Sequence, residues 1–131
     1  MDKGPVKNYR DLVVWQRAKA FAVLLYRVSA TFPHDERYGL TDQIRRAAVS
    51  IASNIAEGHI RRSDRVFANH LDIALGSAAE LDTQLDIALA IDYLGRKQHD
   101  ELAAELLEII KMLYGLAKTV STGRQQIGGG G

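Results

Sequence analysis

The segment Tyr38–Gly58, reading YGLTDQIRRAAVSIASNIAEG, constrains this chain more than any other, because a helical apolar stripe and a dense polar pattern share it. At about 100° per residue, Leu40, Ile44, Ala47, Ala48, Ile51 and Ile55 fall in one sector, the face that a helix buries. The opposite side carries Val49, Ala52, Ser53 and Ala56, where a solvated helix would hold Lys or Glu. Side chains that small let a second helix or a second subunit approach closely, so the pattern predicts a helix buried from two directions.

Between the two apolar strips runs a polar one made of Gln43, Arg46, Ser50, Asn54 and Glu57, spaced by three or four so that each side chain neighbours the next. Two readings fit it. In one it is a structural ladder of hydrogen bonds and ion pairs, extended by Glu80 of a later helix. In the other, Arg45, Arg46, Arg61, Arg62 and Arg65 make a site for an anionic partner, since the planar guanidinium fork grips phosphate oxygens in pairs. The residues alone leave both open.

Before this segment, residues 1–8 contain Pro5 and no periodic pattern, and read as a flexible lead-in. Val14, Ala18, Phe21, Ala22, Leu25, Val28 and Phe32 then follow helical spacing, with Trp15 at the edge of the stripe. Pro33 disfavours helical geometry at Phe32 and closes this first helix. The central helix is expected to take its N-cap near Thr41 or at the residues just before it and to end at Gly58, the residue type most easily placed in left-handed backbone. Ser63 followed by Asp64 signals the start of a third helix, whose core face is Phe67, Leu71, Ala74, Leu75, Ala78, Leu81, Leu85, Ala88 and Leu89, with Gly95 as its end. A fourth runs from about Gln98 to Val120 on Leu102, Leu106, Ile109, Ile110, Leu113, Leu116 and Ala117, with Leu107 and Tyr114 on its flank. Its first turn is expected to be acidic, which suits the helix dipole. Residues 122–131 have nothing to pack and read as a disordered tail.

Four helices with short connections and no strand-like alternation give an all-α fold, an antiparallel up-down-up-down four-helix bundle over residues 9–121. These helices own more apolar surface than one core hides. Val66, Ile73, Ile87 and Ile91 form a second strip on the third helix, and Val49, Ala52 and Ala56 a second strip on the central one. Gly76, mid-helix, costs up to about 1 kcal/mol relative to Ala, a loss that close approach of another backbone would offset. These eight residues are the candidate subunit interface, and the protein's first expected partner is itself, in a homo-oligomer.

Chemistry is mostly excluded. Without cysteine there are no disulfides, thiolate metal sites or cysteine nucleophiles. No Glu-x-x-His pair, glycine-rich phosphate loop or nucleophile elbow occurs, so neither an enzyme nor a cofactor or metal is expected. His34-Asp35-Glu36 and His99-Asp100-Glu101 repeat one tripeptide, but both sit at loops or helix starts, where acids need no metal to explain them. Asp82 falls near the core face and is expected to pair with an Arg of another helix. No apolar run approaches the roughly 18 residues of a membrane span and MDKGPVKNYRD lacks an apolar signal region, so a cytoplasmic protein is expected. Charge is unevenly shared: residues 1–70 hold twelve Lys+Arg against seven Asp+Glu, a balance of +5, and residues 71–131 hold five against nine, a balance of −4. Such asymmetry fits a basic polyanion-binding half, or basic and acidic faces of neighbouring subunits that attract each other.

Three blocks of residues resemble a known family. They are Leu12, Trp15, Gln16 and Ala18; the run Phe32, Pro33, Glu36 and Tyr38 through Gly58, with Gln43, Ile44, Arg45, Arg46, Asn54 and Glu57 inside it; and Phe67, Leu71, Ala74, Gly76, Ser77, Glu80 and Leu81. Over about residues 9–120 the chain is similar to the small four-helix-bundle proteins encoded inside intervening sequences of bacterial large-subunit ribosomal RNA genes. Val66 departs from the polar or acidic residue expected there in many members. The resemblance implies a homopentameric, ring-like barrel of bundles. It also extends to the accessory variability determinant of diversity-generating retroelements, a strongly basic relative implicated in binding nucleic acid and a reverse transcriptase.

Two functions follow as expectations. One is a non-enzymatic oligomer that binds RNA or DNA backbone through Arg45, Arg46, Arg61, Arg62 and Arg65. The other is a scaffold for another protein or for itself, in which those arginines stabilise subunit contacts.

Overall fold

The apolar stripes of the four expected helices meet in one core. Leu25, Ile44, Ile55, Leu71, Leu81, Leu106, Ile109 and Leu113 each expose 1% of their surface or less. Each such side chain contributes roughly 1.5–3 kcal/mol by leaving water. The computed structural model describes residues 7–130, with side chains to residue 121. It contains α1 (Val13–Ser29), α2 (Leu40–Ile60), α3 (Asp64–Ala90) and α4 (Arg96–Gly130), with short 3-10 turns at Tyr9–Asp11 and His34–Glu36 and no strand among the described residues. No helix among them is long and apolar enough to cross a membrane. The lead-in expected over residues 1–8 lies outside the described residues except for Lys7 and Asn8. The backbone of α4 is helical to Gly130, past the expected end at Val120; the side chains of 122–130 and all of residue 131, where the tail is expected, lie outside the described residues.

The central helix α2 packs on both α1 and α3, which bury its Leu40–Ile55 stripe, whereas on the opposite side Val49 and Ser53 are exposed and Ala52 and Ala56 only half-buried, so the second burial expected there is not made within the chain. Ser50 meets Ser77 and Asn54 meets His70, so positions advance along α2 as they recede along α3. The helix takes its N-cap at Gly39, among the residues just before Thr41 where the cap is expected; Thr41 itself is buried in the first turn, and the N-terminal amide of Leu40 donates to Glu36 Oε1 at 3.2 Å. Glu36 Oε2 accepts from the Tyr93 hydroxyl at 2.8 Å, which ties the α1–α2 connection to the α3–α4 turn. A Cβ on residue 39 would lie 2.6 Å from Glu36 Oε1, so a larger residue there would push that carboxylate out of its present position.

Two helix ends differ from expectation. Gly58 lies inside α2, buried, where a Cβ would meet His70 Cβ at 2.6 Å and Phe67 Cδ1 at 3.0 Å. Its role is close approach of α3, while the left-handed turn falls on Arg62, with φ of 56°. At the other end α3 stops at Ala90, short of the end expected at Gly95, and Asp92, with φ of 65°, makes a left-handed turn. The predicted start of α3 holds, with Ser63 Oγ accepting from the Val66 amide at 3.3 Å. α4 begins at Arg96, so Asp100 and Glu101 miss its first turn, which carries no acid. Asp82 is exposed and pairs with nothing among the described residues; the buried polar side chain of α3 is Gln84, 6% exposed, with Oε1 unpartnered.

Candidate nucleic-acid interface

The five arginines fall into two groups separated by the length of α2. Arg46 and Arg61 are about 22 Å apart along the axis at 1.5 Å per residue, so one compact site does not hold all five. Arg45 is turned inward. Its Nε donates to Ser29 Oγ at 2.9 Å, its Nη2 donates to the Tyr26 carbonyl at 3.0 Å, and its guanidinium carbon stands 4.6 Å from the Tyr26 ring centroid. Those contacts join α2 to the last turn of α1. Arg46 is exposed and donates to Asp42 at 2.8 Å, one turn back on its own helix. Together they border an open groove of about 520 Å3 between α1 and α2.

Arg61, Arg62 and Arg65 are exposed around the α2–α3 turn. Among the described residues, no carboxylate lies within ion-pairing distance of any of them. Arg62 lines two adjoining cavities, of about 490 and 230 Å3, and Lys7 and His59 line both as well. Within this structure, then, this end of the molecule concentrates cations whose donors are not engaged by carboxylates.

The polar strip of α2 is divided rather than continuous. Ser50 and Ser77 share a hydrogen bond of 2.7 Å, and Asn54 Nδ2 donates to the Ser50 carbonyl at 2.9 Å and to its hydroxyl at 3.1 Å. Asn54 Oδ1 is an acceptor only, so His70 Nδ1 carries a proton and donates to it at 2.9 Å. Glu57 Oε2 lies 3.9 Å from the same nitrogen. Gln43 and Glu80 are exposed and make no side-chain hydrogen bond among the described residues. This network is a seam between α2 and α3, which is the structural reading of the ladder for Ser50 and Asn54.

Of the eight candidate interface residues, Val49, Ile73, Ile87 and Ile91 leave 42–52% of their surface open, while Ala52, Ala56 and Val66 are half-buried. A Cβ at Gly76 would meet nothing within 4 Å, so no helix of the same chain approaches it.

Two polar contacts escaped the sequence reading. Arg17 grips Glu105 with two donors, Nη2 at 2.6 Å and Nε at 3.1 Å, and fastens α1 to α4. Their separation of 88 in the sequence leaves no signal of the pair. His99, 8% exposed, is held between Asp100 Oδ1, 2.9 Å from Nδ1, and Asp86 Oδ1, 2.8 Å from Nε2. Ionised carboxylates only accept, so the arrangement favours the imidazolium, the form in which both ring nitrogens donate. The hydrogen bond to Asp100 and then that to Asp86 raise its pKa above the ordinary 6.5, against the opposing effect of burial. A signal for His99 existed: it lies three and seven residues before the core positions Leu102 and Leu106. Among the described residues, no group of three His, Asp or Glu side chains is placed to hold a metal ion.

Comparison with known proteins agrees with this architecture. A crystal structure of a protein of unknown function from the S23 ribosomal protein family of Bacteroides thetaiotaomicron superposes with a TM-score of 0.76 at 29% identity, over 81% of this chain and 99% of that one. No curated protein matches the chain. The family model for the 23S rRNA-intervening sequence protein matches residues 10–115, which span all of α1, α2 and α3 and most of α4. The chain therefore belongs to the 23S rRNA-intervening sequence protein family.

Proposed function

We propose that this protein is a non-catalytic, ring-forming homo-oligomer of antiparallel up-down-up-down four-helix bundles that binds RNA backbone through Arg61, Arg62 and Arg65. One observation carries the reading: these three are exposed and joined to no carboxylate among the described residues, whereas Arg45 and Arg46 already have partners within the chain. Guanidinium donors left unengaged are what phosphate oxygens recruit. The family description ties its members to an intervening sequence of 23S rRNA, which makes structured RNA the first ligand to test.

The opposed pairing of α2 with α3 and the short connections at Arg61–Ser63 and Ile91–Gly95 support the antiparallel topology. The open strip of Val49, Ile73, Ile87 and Ile91 supports association, because a lone bundle leaves it in water. Repeating three arginines around a closed assembly multiplies individually weak phosphate contacts.

Fluorescence anisotropy with structured RNA between about 50 and 200 mM salt tests the reading. Affinity is expected to fall steeply with salt, by a log–log slope of about 0.7–0.9 for each phosphate neutralised. No binding at low salt rejects it, and light scattering that finds a monomer at micromolar concentration rejects the assembly. The alternative is a scaffold whose arginines stabilise subunit contacts, and it rests on the same apolar strip. Under that alternative, Ala at Arg61, Arg62 and Arg65 would dissociate the oligomer instead of sparing it.

A further inference from the structure

The two cavities at the α2–α3 turn share Lys7, His59 and Arg62, and what surrounds those three differs from one cavity to the other. The larger, about 490 Å3, adds Asp64 and Phe67; the smaller, about 230 Å3, adds Tyr9 and the exposed Ile60. The larger volume is within the range of small-ligand sites. A bare phosphate site would exclude Asp64, whose carboxylate repels an anion. A ligand carrying both a phosphate and a hydroxyl donor removes that conflict. The rings supply the remaining surface. His59 meets Phe67 at 84° with centroids 5.6 Å apart, a geometry that leaves at least one face of each ring uncovered by the other. Tyr9, half-buried, lines the smaller cavity with its ring 5.2 Å from that of Trp15 and the Arg10 guanidinium carbon 4.8 Å from its centroid.

We propose that this paired cavity takes one unpaired ribonucleotide of an RNA strand, with its phosphate between Lys7 and Arg62, its base against His59, Tyr9 and Ile60, and its 2′-hydroxyl donating to Asp64. The inference rests on the RNA reading above and sharpens it from backbone attraction to selection of single-stranded RNA. Bases stacked inside a duplex present no free face to such rings, whereas a base in a loop or at an end does. The 2′-hydroxyl is the group that distinguishes RNA from DNA at a given site, and a carboxylate is a strong acceptor for it.

The test is anisotropy of the full chain with three labelled probes at matched ionic strength: an unstructured oligoribonucleotide, the DNA strand of the same sequence, and the RNA duplex. The single RNA strand is expected to bind about tenfold tighter than the DNA strand, the worth of one charge-assisted hydrogen bond, and tighter than the duplex. Asp64→Ala, which keeps the Ser63 cap and a strong helix former at the first position of α3, is expected to reduce the RNA-to-DNA ratio to about one. Arg62→Gly is expected to weaken both strands while sparing the fold, because glycine takes the backbone φ of 56° without strain. Equal, arginine-dependent binding of all three probes would overturn this inference and leave the backbone reading standing. A ratio unchanged in Asp64→Ala would do the same. No binding of any probe at low salt would overturn both.

Discussion

Arg45 and Arg62 are the same side chain near opposite ends of the same helix, and their surroundings give them opposite uses. Arg45 comes after an α-helical turn that faces α1, so Ser29 and the Tyr26 carbonyl take up its donors and its charge is fixed inside the fold. Arg62 sits in the left-handed residue of a turn, beside cavities it shares with Lys7 and His59, and pairs with no carboxylate among the described residues. An arginine count therefore overstates a binding site. What matters is how many guanidinium donors the protein itself leaves unengaged.

The largest expected effect comes from disturbing the packing that positions the basic end. Gly58→Ala places a Cβ 2.6 Å from His70 Cβ, and neither is the flexible end of a long side chain. Overpacking of this kind is expected to cost about 1–3 kcal/mol in urea unfolding, and to lower RNA affinity by shifting α3 at its first turns. Next, Arg45→Ala is expected to cost about 1–2 kcal/mol, because it removes two hydrogen bonds and leaves the buried Ser29 hydroxyl without that donor. Its RNA affinity should be unchanged; a loss of binding with no loss of stability would reverse the assignments of the two ends.

A smaller effect is expected from pH. The folded pKa of His99 is raised, so its contribution is fully present below the unfolded value near 6.5 and is lost as pH rises through the folded value. Thermal unfolding should therefore show stability declining above about pH 6.5, and His99→Gln should flatten that decline. An identical profile in the variant would mean that other groups produce it. The smallest effect belongs to Arg46→Ala, within about 0.5 kcal/mol, since its pair with Asp42 is exposed and joins neighbours on one helix.

The core was legible in the sequence because burial imposes the helical period. Every one of Leu40, Ile44, Ala47, Ala48, Ile51 and Ile55 is buried, as are Val14, Phe21 and Leu25 of α1. Turn chemistry was less legible. Glycine signals a helix end at Gly58 and Gly95, yet the non-glycine residues with left-handed backbone are Arg62 and Asp92, and Gly58 serves close packing between α2 and α3. Polar partners were the least legible, because they depend on which helices meet. Nothing near Arg17 announces Glu105, and the carboxylate that pairs across from α3 is Asp86, not Asp82. The candidate site shares that limit. The sequence supplied five arginines, and only tertiary contacts separate Arg45 from Arg62.

The most direct test of this account is the salt dependence of RNA affinity in two multiple variants, R61A/R62A/R65A and R45A/R46A, set against the unaltered chain. The account predicts that the first flattens the log–log slope by about two to three while the second leaves it in place. A slope lost in R45A/R46A and kept in R61A/R62A/R65A would contradict it.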